Sequence, residues 1–247
     1  MKRIATIIIL FICFAITANA QKTYALLTGI SNYGFGPANI YNTTKDVKDL
    51  KKVLDKQNMV VSVLTSRNVT VYEIEKKIAY ISKLAKPEDK VIFFFSGHGS
   101  LDGLVTYGHS GPVIYNFMDI MKDLSRIQAR EIFVFVDACK SGNISQWYEN
   151  GWARDNNIHP GLNFFMSSRA NELSAENNWL GHGSFAQALI KGLRGLADAD
   201  SNRQVTVEEL FNYINTDVVA HTAGTPRSQH PVLVGPRTSR QTVITAW

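Results

Sequence analysis

Two segments constrain the fold more than any others, KVIFFFSGHG at 90–99 and EIFVFV at 131–136. Their cores, 91–95 and 132–136, are unbroken apolar runs of strand-forming residues with no alternating polar position. A half-buried strand shows a two-residue alternation, whereas a run like these needs cover on both faces, as the central strands of a parallel sheet have it. Between them NFMDIMKDLSRI (116–127) reads as a helix. A strand–helix–strand crossover usually makes the two strands neighbours.

The rest of the chain repeats the alternation. YALLTGI (24–30) reads as a strand that runs into a Gly/Asn/Pro-rich loop. TTKDVKDLKKVLDKQ (43–57) places Val47, Leu50, Val53 and Leu54 at helical spacing, with Thr44 as N-cap. MVVSVL (59–64) is a strand and TVYEIEKKIAYISKLAK (70–86) a helix stopped by Pro87. Residues 100–115 suggest a hairpin, and 140–160 a polar and aromatic loop. GLNFFMSS (161–168) is a further strand. SFAQALIKGLRG (184–195) is a helix capped by Ser184 and stopped by Gly195, and TVEELFNYINTDVVAH (206–221) is another. The tail QTVITAW adds an edge strand. The expectation is one α/β domain over 21–247, a three-layer sandwich with a mostly parallel central sheet and helices on both faces.

Residues 1–20 stand apart. Lys2 and Arg3 precede an uncharged, mostly apolar run from Ile4 to Ile16, and Ala18-Asn19-Ala20 follows. A charged start, an apolar stretch and an A-x-A site together specify a secretory signal peptide, too short for the roughly 20 residues of a membrane span. The mature chain is therefore expected in the periplasm or the medium, with no stable membrane anchor. Loss of the leader lowers Lys+Arg from 26 to 24 against 21 acids, a formal charge of +3. So mild and dispersed a charge argues against a nucleic-acid partner. Cys13 leaves as well, so Cys139 remains as the one cysteine of the mature chain in an oxidising setting, the kind of thiol that is buried, bridged to another chain or reactive.

Cys139 follows the second apolar strand in IFVFVDACKSG, and His98 follows the first in SGHG. In open sheets of this kind chemistry gathers beyond the carboxyl ends of the strands. A cysteine attacks as thiolate and needs a base or positive surroundings to form it near neutral pH. Neighbouring strand tips would bring imidazole and sulfur to one rim. Gly97 and Gly99 allow a sharp turn, and the backbone N–H groups of Gly99 and Cys139 are candidates for an oxyanion hole. GHGS occurs again at 181–184, so His182 is a rival base, but it precedes a helix rather than following a strand. No C-x-x-C or H-E-x-x-H cluster is present, so no metal site is expected.

VIFFFSGHGS followed by IFVFVDACKSG resembles the caspase-type cysteine peptidases, most closely metacaspases and their bacterial relatives. Legumain- and clostripain-like peptidases share a similar layout of His and Cys. The resemblance runs from YALLTGI through NTTKDVKDLKKVL to SSRANELSAEN and HGSFAQALIKGLRG. It implies a caspase-like fold, a catalytic dyad of His98 and Cys139, and a polypeptide substrate cut by an endopeptidase. It also implies that Asp137, two residues before the cysteine, and Asp46 on the first helix line a pocket for Arg or Lys. The family's usual Asn-Asp-Ala is Lys45-Asp46-Val47 here. Paired carboxylates favour a cationic side chain, most strongly a bidentate Arg. Two alternatives are a catalytically silent caspase-fold binding or regulatory module, and a related peptidase with another P1 preference.

No cofactor is expected, although some metacaspases depend on calcium. In DADSNRQVTVEE (198–209), Asp198, Asp200, Asn202 and Glu209 fall at positions 1, 3, 5 and 12 of an EF-hand-like loop, but Arg203 replaces the glycine of position 6. The segment reads rather as a polar turn whose Thr206 and Glu209 form a capping box.

Overall fold

The computed structural model describes residues 21–34, 39–149, 151–172, 176–177, 182–225 and 228–247; the expected leader lies outside them. Strand β1 (Thr23–Gly29) leads to helix α1 (Thr43–Asp55), β2 (Val60–Thr65), α2 (Val71–Leu84) and β3 (Lys90–Ser96). A hairpin of β4 (Gly103–Thr106) and β5 (Val113–Asn116) precedes α3 (Phe117–Leu124) and β6 (Glu131–Asp137). Short helices α4 (Ser145–Glu149) and α5 (Trp152–Asp155) come before β7 (Leu162–Met166). A two-residue pair, β8 (Glu176–Asn177) with β9 (His182–Gly183), introduces α6 (Ser184–Lys191). The chain finishes with β10 (Gln204–Thr206), α7 (Val207–Thr222), β11 (Val232–Val234) and β12 (Val243–Ala246).

Six strands form one sheet in the order β11-β7-β6-β3-β1-β2, parallel except for β11. The two apolar runs are its neighbouring central strands β3 and β6. Successive side chains of a strand point to opposite faces, and each face here has its own core. Leu26, Phe93, Phe95, Val134 and Val136 pack with Ile74 and Ile78 of α2 and Phe117 and Met121 of α3. Leu27, Ile92, Phe94, Phe133 and Phe135 pack with Val47 and Leu50 of α1, Leu189 of α6 and Leu210 and Ile214 of α7. This is the expected three-layer arrangement. Each fully buried Phe contributes on the order of 1.5–3 kcal/mol of transfer free energy.

Several local expectations need correction. Residues 140–160 are not an irregular loop. A 3-10 turn (Ser141–Ile144), α4 and α5 fold there, with Ile144 and Ala153 buried and the Trp147 and Trp152 rings edge to face at 6.2 Å. Turns this short carry too little periodicity to register in a sequence pattern. The tail does form a strand, but β12 pairs with β10 in a separate two-stranded sheet. The main sheet ends instead on three-residue β11, antiparallel to β7. Thr44 does not cap α1; Asn42 holds that position, and the Thr44 hydroxyl lies 2.6 Å from the Ser31 hydroxyl.

Candidate active site

The β3–β6 register places the two expected catalytic residues. Ser96 and Asp137, the last residues of these strands, are paired. His98 and Cys139 each lie two residues further on, so they leave the sheet at the same level from adjacent parallel strands. The turns touch beyond the strand ends. The Gly97 N–H donates to the Asp137 carbonyl at 3.1 Å. A Cβ on Gly99 would stand 2.2 Å from the Cys139 carbonyl oxygen, a distance no side-chain carbon tolerates, so close approach of the turns requires glycine there.

Both turns are held from outside. Tyr33, 1% exposed, accepts the His98 backbone N–H on its hydroxyl at 2.7 Å and donates to the Val105 carbonyl at 3.2 Å. Its ring lies 5.0 Å from the His98 imidazole. On the other turn, Lys140 takes a left-handed conformation (φ 58°), uncommon for a residue with a side chain. Its N–H donates to the Glu172 carbonyl, and the Gly142 N–H to the Ser168 carbonyl, both at 2.9 Å. Cys139 is partly exposed and is the one cysteine among the described residues. Gly99 bridges to Leu104, but the hydrogen bonds of that bridge run from Ser100 to Gly103 and from Val105 to His98, so the Gly99 N–H is not used in it.

The two expected pocket acids converge on one residue, Gly183. Asp46 is 1% exposed and accepts from the Ser96 hydroxyl at 3.2 Å, from His182 Nδ1 at 2.7 Å and from the Gly183 N–H. Burial pushes the Asp46 carboxyl up from its ordinary value, and the hydrogen bonds from His182, Ser96 and Gly183 oppose that rise. Asp137, also buried, accepts the Ala186 N–H on Oδ2 at 3.2 Å. A Cβ on Gly183 would stand 2.4 Å from that same oxygen. Asp137 therefore does for α6 what Ser184 was expected to do. Gly183 is the N-cap, Ser184 already belongs to the helix, and the acceptor for the first-turn amide comes from β6.

His182, the rival base, lies with Nδ1 2.7 Å from Asp46, and its Nε2 lies 2.6 Å from Lys45 Nζ and 3.4 Å from Asp49 Oδ2. The other histidines have structural neighbours. His159 bonds the Ala129 carbonyl and the Gly161 N–H, and His230 lies 2.8 Å from Glu172. Tyr33 and Gly183 were missed because one lies in a loop and the other in a two-residue strand; only the repeated GHGS offered a signal. In the 198–209 loop the Thr206–Glu209 capping box forms as expected. Asp198, Asp200 and Glu209 bring oxygens within 4.8 Å of one another, while Arg203 takes the left-handed conformation (φ 64°) in place of glycine.

A mostly parallel sheet with His and Cys turns on adjacent strand tips is the architecture of a caspase-fold protein. The chain belongs to the peptidase C14 family, described as the caspase domain, which it matches over residues 22–242. Its fold is similar to that of a Geobacter sulfurreducens protein whose crystal structure was determined as a structural-genomics target. That similarity has a TM-score of 0.62 at 15% identity and covers 91% of this chain and 99% of the other. The comparison with curated proteins found no match. Among the described residues, no helix is long and apolar enough to cross a membrane.

Proposed function

We propose that this chain is a cysteine endopeptidase that cuts polypeptides after Arg or Lys, exported by its N-terminal leader to the periplasm or medium. The observation that carries the reading is the register of His98 and Cys139 beyond the paired Ser96 and Asp137. His98 takes the Cys139 thiol proton, and the thiolate attacks the scissile carbonyl carbon. The carbonyl oxygen gathers negative charge, which the Gly99 and Cys139 N–H groups would hold. The tetrahedral adduct collapses as His98 returns its proton to the departing amine, leaving a thioester on Cys139. His98 then takes a proton from water, whose oxygen attacks the thioester; the acid product leaves and the thiol is restored. All these steps use residues of this chain, with no cofactor.

Selectivity for a basic P1 side chain rests on the buried pair Asp46 and Asp137 meeting at Gly183. The purified mature chain should cleave peptide reporters ending in Arg or Lys in preference to Asp or Asn, with the same rate in calcium or EDTA. Cys139→Ala should lower the rate at least a thousandfold while leaving the circular dichroism spectrum unchanged. Full activity in that variant would end the peptidase reading, and an inert wild type whose Cys139 resists peptidyl electrophiles would favour a silent caspase-fold module.

A further inference from the structure

The Asp46 carboxylate already has a side-chain partner. His182 Nδ1 lies 2.7 Å from Asp46 Oδ1, and Lys45 Nζ lies 2.6 Å from His182 Nε2. An ammonium has only donors to offer, so at that distance Nε2 presents its lone pair and the ring proton sits on Nδ1, facing Asp46. The result is a relay: a Lys45 cation, a neutral imidazole and a carboxylate that is 1% exposed. Asp49, 3.4 Å from Nε2 and 2.7 Å from Lys52, completes the surroundings. Burial disfavours the charged form of Asp46, and the hydrogen bonds from His182, Ser96 and Gly183 oppose that effect.

We infer that His182, backed by Lys45, is a specificity-determining residue of the proposed peptidase: it holds the Asp46 oxygen that a basic P1 side chain must take over. The inference rests on the reading of Asp46 as a pocket acid. A guanidinium or ammonium reaching Asp46 offers the same kind of donor as the imidazole N–H, so the two compete for one acceptor atom. The Lys45 cation, set directly behind the ring, repels an incoming cation as well. Preference for Arg or Lys over neutral P1 residues is then smaller than two buried carboxylates alone would give. His182 and Lys45 set how much smaller. The departure of Lys45 from the family's usual residue acquires a physical role.

The test compares wild type, His182→Ala, His182→Gln and Lys45→Ala on acyl-peptide aminomethylcoumarin reporters with Arg or Gln at P1. Iodoacetamide alkylation of Cys139 is measured alongside. The Lys45 side chain is 51% exposed, so its removal should leave the fold intact. KM for the Arg reporter should fall about tenfold in His182→Ala, the scale of one charge-assisted hydrogen bond, and severalfold in Lys45→Ala. His182→Gln, which keeps a donor on Asp46, should stay close to wild type. The Gln reporter and the alkylation rate should not change. An unchanged or raised KM in both Ala variants, with wild-type alkylation, would overturn the inference and leave the peptidase reading standing. Failure of the wild type on every reporter would instead remove the peptidase reading, and the inference with it.

Discussion

The Tyr33 hydroxyl accepts the His98 N–H and donates to the Val105 carbonyl, so its removal leaves two backbone groups without that partner. Tyr33→Phe should cost about 1–3 kcal/mol of stability. Because the lost bond fixes the His98 turn and touches no substrate, kcat should fall at least tenfold while KM stays near wild type; steady-state kinetics separate the two. Asp46 gives a prediction in pH. Burial, opposed by the His182, Ser96 and Gly183 hydrogen bonds, raises its carboxyl above the ordinary 3.8. A carboxyl raised on folding holds its proton more tightly in the folded state. Its contribution is present in full below the ordinary value and is lost as pH rises through the raised one. Asp46→Asn carries no such titration, so its stability relative to wild type should improve from acid to neutral pH in urea unfolding curves. The same variant should lose its preference for Arg reporters.

At the scale of the element, α6 and α7 show two ways of satisfying a helix start. Helix α7 does so within its own sequence, through Thr206 and Glu209 bonded reciprocally. Thr206→Ala should cost about 1 kcal/mol, lowering the melting temperature by about 2–4 °C. Differential scanning calorimetry checks this, and activity should survive, because the cap is part of a turn outside the proposed site. Helix α6 has glycine at its N-cap and takes its acceptor from Asp137, two residues before Cys139. That single bond ties the helix to the strand end from which the cysteine turn departs. The capping box was readable because its residues stand three apart. The Asp137 cap was not, since Asp137 and Ala186 lie 49 positions apart along the chain.

Across the whole molecule, the central strands serve two cores at once. Phe94 is fully buried on the α1, α6 and α7 side, while Phe93 and Phe95 fill the α2 and α3 side. Phe94→Ala should cost about 3–5 kcal/mol by urea unfolding, since both lost transfer energy and a residual cavity count against it. With its site held on two strand tips of that sheet, such a variant should lose activity in step with its folded fraction.

Much of this architecture follows from the sequence alone. Unbroken apolar runs at 91–95 and 132–136 read as doubly covered strands, and helical spacing in 43–57 and 70–86 supplies the cover. The positions of His98 and Cys139 just beyond those runs follow from the same local pattern. Tertiary structure alone decided that Tyr33 holds the His98 turn, that Asp137 caps α6, that His182 rests on Asp46, and that β12 leaves the main sheet for β10. Periodicity and capping are written in residues a few positions apart, where the backbone geometry is known in advance. These other contacts join side chains or strands tens of residues apart, and they exist only once packing has fixed the distance between them.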